Sequence, residues 1–87
     1  MKLDLLYEVQ APKPWPDKPY PQNQKEAEQA AWFEAIEQIK LADTLGFGTV
    51  WVVEHHFRIE RSHMPVNDVF LAALSQVTKN IRMGFGV

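Results

Sequence analysis

The sequence predicts an α/β fold in which short apolar strands alternate with helices. Three segments are apolar without regular polar alternation, as expected for strands buried in a parallel sheet. The two segments between them carry apolar residues at helical spacing. Strands that alternate with helices in this way lie parallel and are joined by right-handed crossovers.

The first strand is predicted at Leu3–Val9, which is largely apolar. Residues 11–23 follow with five prolines, each of which fixes its own φ and favours an extended residue before it. We therefore expect a stiff, extended loop that carries Trp15 and Tyr20. This loop is either a surface connector or the cover of a pocket, and the sequence is compatible with both.

The first helix is predicted from about Gln24 to Leu45. Its apolar residues recur at intervals of three and four: Trp32, Ala35, Ile36, Ile39 and Ala42. Gly46 ends the helix, because glycine readily adopts a positive φ. Thr49–Val53 is apolar and rich in β-branched residues, so we expect a second strand that is buried on both faces.

The second helix is predicted to start near Pro65 and Asn67–Asp68, residue types that favour helix starts, and to close at Lys79–Asn80. Its expected buried stripe consists of Val69, Phe70, Ala73, Leu74 and Val77. The third predicted strand is Ile81–Val87.

The predicted elements are too few for a complete domain. A parallel sheet needs both faces covered, whereas two helices cover only one. The second face and two long strand edges would be exposed, which is an aggregation hazard. We therefore expect residues 1–87 to be the N-terminal part of a longer barrel or sheet domain. A complete flavodoxin-like domain is the alternative, but it needs more strands.

Composition restricts the partners and the compartment. The chain is 46% hydrophobic and 11% aromatic, as in a globular protein with a core, and its net charge is −2. No basic patch stands out, so nucleic acid and membrane surfaces are not expected as partners. Without cysteine, the chain has no disulfide, thiolate nucleophile or cysteine zinc site. The sequence has no signal peptide and no apolar run long enough to span a bilayer, so we predict a cytoplasmic protein.

The densest group of chemically active side chains follows the second predicted strand. Function in parallel α/β folds collects at the carboxyl ends of the strands, where His55 and His56 lie. Neighbouring residues of an extended chain point to opposite faces, so one histidine can face the mouth while the other packs toward the helices. An imidazole at the mouth can act as a general base. A hydrogen-bonding pair that pins the loop is an equally weighted alternative.

Other residues have weaker or purely structural interpretations. His63, the adjacent histidine pair and nearby carboxylates could ligate a metal, but no HExxH motif is present. We predict no metal site and keep a metal-dependent hydrolase as a minor alternative. Gly84–Gly86 is too short for a phosphate-binding fingerprint and allows either close approach of a ligand or packing alone. Trp51 and Phe57 are interpreted as core residues.

The run Leu45–Phe57, which reads LGFGTVWVVEHHF, resembles the second-strand signature of bacterial luciferase-like flavin monooxygenases. The segments Val69–Ala73 and Thr78–Gly84 fit the same family, and the likeness covers nearly all of the chain. The resemblance implies a (β/α)8 TIM-like barrel, of which residues 1–87 would form the N-terminal β-α-β-α-β portion.

The resemblance also implies a function. Family members use reduced FMN and molecular oxygen to oxidise aldehydes or other small organic substrates, and a separate flavin reductase supplies the reduced flavin. A homodimer or heterodimer is implied as well. His55 matches the histidine that acts in acid–base chemistry beside the flavin, so it is the predicted catalytic residue. His56, Phe85, Gly86 and Val87 are the predicted cofactor-binding residues, because they match the second histidine and the strand against the flavin ring.

Two alternatives remain within the resemblance. Some relatives use a deazaflavin, and others are noncatalytic flavoprotein subunits. The complete Glu-His-His-Phe run favours FMN, and the retained His55 favours catalysis. The residues that bind the flavin phosphate would follow Val87, so we expect the 87-residue chain by itself to be inactive.

Overall fold

The computed structural model describes residues 2–11, 24–56 and 62–86. Its elements, in chain order, are β1 (Leu5–Tyr7), α1 (Gln24–Thr44), β2 (Thr49–Val52), α2 (Asn67–Ser75) and β3 (Arg82–Phe85). The strands form one sheet in the order β1-β2-β3, and both neighbouring pairs are parallel. The α/β class, the element order and the parallel pairing predicted from the sequence are therefore confirmed. Neither described helix combines the length and apolarity that a membrane crossing requires.

The two faces of the sheet differ sharply in burial. Val50 and Val52 of β2 are fully buried beneath the helices. The opposite face carries one row across the sheet, formed by Leu6, Trp51 and Gly84. Leu6 is 66% exposed and Trp51 is 41% exposed. We call this side the uncovered face, since no described element packs over it.

The expectation that the second strand is buried on both faces was therefore wrong in the described part of the chain. Trp51 is not a core residue, because both crossovers place their helices on the side of Val50 and Val52. The other aromatic residue interpreted as core, Phe57, lies outside the described residues.

The core lies between the helices and the covered face. α1 contributes Ala35, Ile39 and Ala42, as its spacing predicted. Trp32 and Phe70 meet edge to face, with ring centroids 5.0 Å apart. This geometry is the one that aromatic pairs prefer, and it joins α1 to α2.

The second helix is shorter than its apolar pattern predicted. α2 ends at Ser75 rather than at Lys79–Asn80. Only two members of the predicted stripe, Phe70 and Leu74, are buried, while the others face outward. The buried face of α2 consists of Asn67, Phe70, Leu71 and Leu74. A helix of nine residues presents only this narrow stripe at spacings of three and four to the sheet.

A single carboxylate shapes the chain between α2 and β3. Asp43, near the end of α1, accepts backbone N–H groups from Lys79, Asn80 and Ile81, each at 2.8 Å. These bonds favour the charged form, so they hold the pKa of the Asp43 carboxyl below its usual value. The residues that were predicted to close α2 are thus a turn bound to α1.

Candidate functional site

The carboxyl ends of the strands meet at one edge of the sheet. Val53 N–H donates to the Tyr7 carbonyl (3.2 Å), which continues the β1–β2 pairing beyond the strands. Gly86 N–H donates to the Val52 carbonyl (2.9 Å), which does the same for β3. The three chain segments that leave the strands therefore start side by side, at the edge where parallel α/β folds place their chemistry.

Glu54 connects one histidine of the pair to the start of α2. Its Oε2 lies 3.2 Å from His56 Nε2, and its Oε1 accepts the Asn67 backbone N–H at 3.3 Å. The N-cap residue of α2, Val66, has no side chain that can cap the helix. Glu54 therefore takes the place of an N-cap side chain and puts a negative charge where the helix dipole favours one.

His55 occupies a different position from His56. The contact between Glu54 and His56 shows that alternate residues share a side here, as in an extended chain. This alternation puts His55 on the uncovered face, the side of Trp51. The His55 backbone N–H donates to the Met64 carbonyl (3.0 Å), while its ring makes no hydrogen bond within residues 2–11, 24–56 and 62–86.

The predicted cofactor residues on β3 divide between the two faces. Phe85 pairs with Val52, so its side chain lies on the covered side at the sheet edge, where it is 60% exposed. Gly86 lies on the uncovered face, because a Cβ placed there would come within 2.9 Å of Val53 Cγ1 and 3.5 Å of Leu6 Cδ1. Val87 lies outside the described residues.

The uncovered face is suited to a flat aromatic ring. Near the carboxyl edge, this face carries the apolar side chains of Leu6 and Val53, and Gly86 beside them adds no side chain. The alternation along the chain favours a position of the His55 ring at the border of this face. A mostly apolar lining with few, well-placed polar groups is typical of sites that bind small molecules and cofactors. In residues 2–11, 24–56 and 62–86, no three His, Asp or Glu side chains come together as metal ligands would.

Asn67, which the sequence indicates only as part of a helix start, also lies at the candidate site. It is 6% exposed, and its Nδ2 donates to the Val52 carbonyl at 3.2 Å. The same carbonyl accepts Gly86 N–H, so Asn67 binds the backbone where β2 and β3 end. An amide residue in the first turn of a helix is too common a feature to have indicated this contact.

The segment Ser62–Met64, which we call the tie segment, was also missed. All three of its residues are buried. The Ser62 hydroxyl donates to the Glu8 carbonyl, and His63 N–H donates to the Val9 carbonyl at 2.7 Å. The sequence indicates His63 only as a possible metal ligand.

The tie segment holds a strained turn after β1. Val9 has a φ of 52°, in the left-handed region that is unfavourable for a β-branched residue. Such a conformation costs about 1–3 kcal/mol and persists only where surrounding contacts enforce it. The Ala11 N–H donates to His63 Nδ1 at 3.1 Å, so bonds from the tie segment flank Val9 on both sides. Strain of this kind is concentrated at functional sites.

A groove of about 430 Å³ lies between α1 and the end of β1, and its lining includes the segment that follows β1. Tyr7 lines it and donates its hydroxyl to Gln38 Oε1 at 2.7 Å. Burial raises the pKa of the Tyr7 hydroxyl, so the group stays protonated and acts as a donor. The groove is lined by Glu8, Gln10 and Glu34 but not by either adjacent histidine, and we do not assign the chemistry to it.

Comparison with known families decides which class this arrangement belongs to. The sequence profile of the family described as luciferase-like monooxygenase matches residues 17–87. The chain belongs to this family. The resemblance seen in the strand motif is thus confirmed, and the parallel β-α-β-α-β arrangement is part of the TIM-barrel fold of luciferase-like monooxygenases. No individual curated protein gives a significant match to the chain.

Family membership supports a general oxidoreductase class for this luciferase-like monooxygenase. Members generally use reduced flavin. The match covers β2, both described helices and β3, and it includes the residues that follow β2.

Proposed function

We propose that the protein is a flavin-dependent monooxygenase that uses reduced FMN and oxygen to oxidise a small organic substrate such as an aldehyde. The observation that carries the proposal is the position of His55. It follows β2 at the carboxyl edge of a parallel sheet, and the alternation along the chain favours the uncovered face for its side chain. Family membership supports the general reaction class, and the flat surface beside Gly86 supports a planar cofactor.

The flavin ring would be held at the carboxyl edge of β2 and β3. Gly86 would let the ring approach the sheet closely, and the backbone of Phe85 would flank it; Val87 stays a predicted cofactor-binding residue. His56 lies with Glu54 on the side of α2, so it would reach the cofactor only beyond the carboxyl edge of the sheet. When bound, the reduced flavin supplies the electrons with which oxygen is activated.

The role of His55 in this proposal is proton transfer. An imidazole nitrogen can accept or donate a proton near neutral pH, which few other side chains do. The Met64 carbonyl holds the His55 backbone, and the apolar neighbours Trp51 and Val53 share its side of the chain. The hydrogen bond to Met64 fixes the backbone from which the His55 ring extends.

The experiment is His55→Gln in the full-length protein, assayed for substrate oxidation with reduced FMN. Glutamine retains hydrogen-bonding groups but does not change its protonation state near neutral pH. We expect kcat to fall by about 10²–10⁴-fold, the usual contribution of a general acid or base, while FMN binding stays within about threefold. Lys40→Ala, on the exposed side of α1, is the control. Wild-type turnover in His55→Gln would refute the proton-transfer role.

Further partners follow from the same proposal. A separate flavin reductase would supply reduced FMN, and the protein would act as a homodimer or heterodimer. Substrate oxidation by oxygen with reduced FMN, compared with hydride transfer between the substrate and a deazaflavin, distinguishes the proposed cofactor from the alternative one. Flavin binding without substrate-dependent oxygen consumption would identify a noncatalytic subunit instead.

A further inference from the structure

His63 is a buried ionisable residue that the proposed chemistry does not use. Its side chain is 7% exposed. The His63 backbone and ring make three hydrogen bonds to two separate parts of the chain, the segment after β1 and α1. Its N–H donates to the Val9 carbonyl at 2.7 Å, its carbonyl accepts Trp32 Nε1–H at 2.7 Å, and its Nδ1 accepts the Ala11 N–H at 3.1 Å.

The two ring nitrogens of His63 have different roles. Because Nδ1 accepts the Ala11 N–H, a neutral ring carries its proton on Nε2. Nε2 is buried and lies 3.4 Å from Glu28 Oε1, without the geometry of a hydrogen bond. The bond to Ala11 is therefore the directional contact of the ring, and the Glu28 carboxylate lies on the side that carries the proton.

The neighbours of His63 in the tie segment contact the chain at the carboxyl edge of the sheet. Met64 accepts the His55 N–H, and the Ser62 hydroxyl donates to the Glu8 carbonyl. One buried segment thus binds the backbone of the proposed catalytic histidine and the turn that follows β1. A shift of Ala11 or Val9 would change the distance between the turn after β1 and the backbone of His55.

We propose that His63 is a positioning residue, which fixes the strained Glu8–Ala11 turn beside His55 by accepting the Ala11 N–H at Nδ1. The functional part of this inference rests on the proposed function, since it assumes that flavin and substrate bind at the carboxyl edge of the sheet. His63 does not touch them; it acts through the backbone of residues 8–11. Positioning matters there because a displacement of about 1 Å can lower a reaction rate by about 10²-fold.

The test compares His63→Leu with His63→Asn in the full-length protein. Leucine fills the space but offers no acceptor, whereas the Asn Oδ1 stands where Nδ1 stands and can accept the Ala11 N–H. The two measurements are hydrogen–deuterium exchange at the Ala11 amide and steady-state oxidation with reduced FMN. Asp43→Asn is the control for lost stability, because Asp43 binds the turn before β3 at the other end of the sheet.

In His63→Leu we expect Ala11 exchange to rise by about tenfold, because the amide loses its acceptor, and kcat/KM to fall by about tenfold. His63→Asn should restore both values to within about threefold of wild type, and Asp43→Asn should leave both unchanged. If His63→Leu does not fold, His63→Gln replaces it. The Gln amide lies at the position of Nε2 and leaves Ala11 without an acceptor.

Several results would overturn the inference. Unchanged Ala11 exchange in His63→Leu would show that the ring does not hold the turn. An Asn variant that restores exchange but not kcat/KM would show that the turn does not affect the reaction. An equal loss of kcat/KM in Asp43→Asn would assign the effect to stability. A wild type that oxidises nothing with reduced FMN overturns the proposed function and the positioning role together, whereas the exchange values still report whether the tie exists.

Discussion

Replacing Gly84 by alanine tests the packing of the uncovered face. A Cβ at Gly84 would lie 2.5 Å from Cε3 and Cζ3 of Trp51, whereas carbon atoms in contact normally stay about 3.5–4.0 Å apart. The ring would have to move by about 1 Å. It is held by a hydrogen bond of 3.2 Å from Nε1 to Asp4 Oδ2, which a shift of that size would break.

The expected cost follows from two opposing terms. Overpacking of this kind costs about 1–3 kcal/mol. Alanine in place of glycine in a strand returns about 0.5–1 kcal/mol, because the unfolded chain has less freedom to lose. We expect Gly84→Ala to lower the free energy of unfolding by about 1–2 kcal/mol. In a Trp51→Ala background the clash is absent, so the same change should be neutral or stabilise by up to about 1 kcal/mol.

Urea unfolding followed by far-ultraviolet circular dichroism gives the free energies of the wild type, both single variants and the double variant. The coupling between the two sites should be about 2 kcal/mol, well above the error of such cycles. An equal cost of Gly84→Ala with and without the Trp51 ring would refute the placement of the indole over β3. The proposed flavin site would then lose its support, because it depends on this arrangement of the uncovered face.

Two further predictions concern the end of α1. The pKa of Asp43 is depressed in the folded state, so its stabilising effect is present above the unfolded pKa, about 3.9, and is lost as pH falls through the lower folded pKa. Asp43→Asn should therefore lower the urea midpoint at pH 7, and its difference from wild type should shrink as the pH approaches 3; a constant difference would contradict this. Gly46 has a φ of 86° and open space around it, so Gly46→Ala should cost about 1 kcal/mol through backbone strain alone, while Gly46→Asn should cost less. Equal urea midpoints for the Ala variant and the wild type would show that the turn accepts an ordinary conformation.

Much of the fold follows from local properties of the chain. The spacing of apolar residues predicted α1 and its buried face, because side chains three and four positions apart share one side of a helix. Gly46 indicated the end of α1, and its positive φ bears this out. The apolar run before His55 indicated a strand in a parallel sheet, so the location of the candidate site was predictable too.

The end of α2 was not predictable in the same way. Its apolar pattern continues to Val77, but the chain turns away after Ser75. Asp43, which lies 36 residues before Lys79, accepts the N–H groups of the turn. A hydrogen bond between distant residues leaves no periodic trace, so the pattern of α2 alone overestimated its length.

The sequence by itself determined the class of the protein, since the alternation of strands and helices, the buried face of α1 and the motif after β2 depend on residues that are near one another in the chain. Only the tertiary structure decided how the candidate site is built. It separated Phe85 from Gly86 by face, joined Glu54 to α2, and brought His63 to Ala11 across 52 residues. The physical reason is that burial and hydrogen bonding between distant segments depend on how the elements pack. That packing gives His63 the partners from which we infer its role.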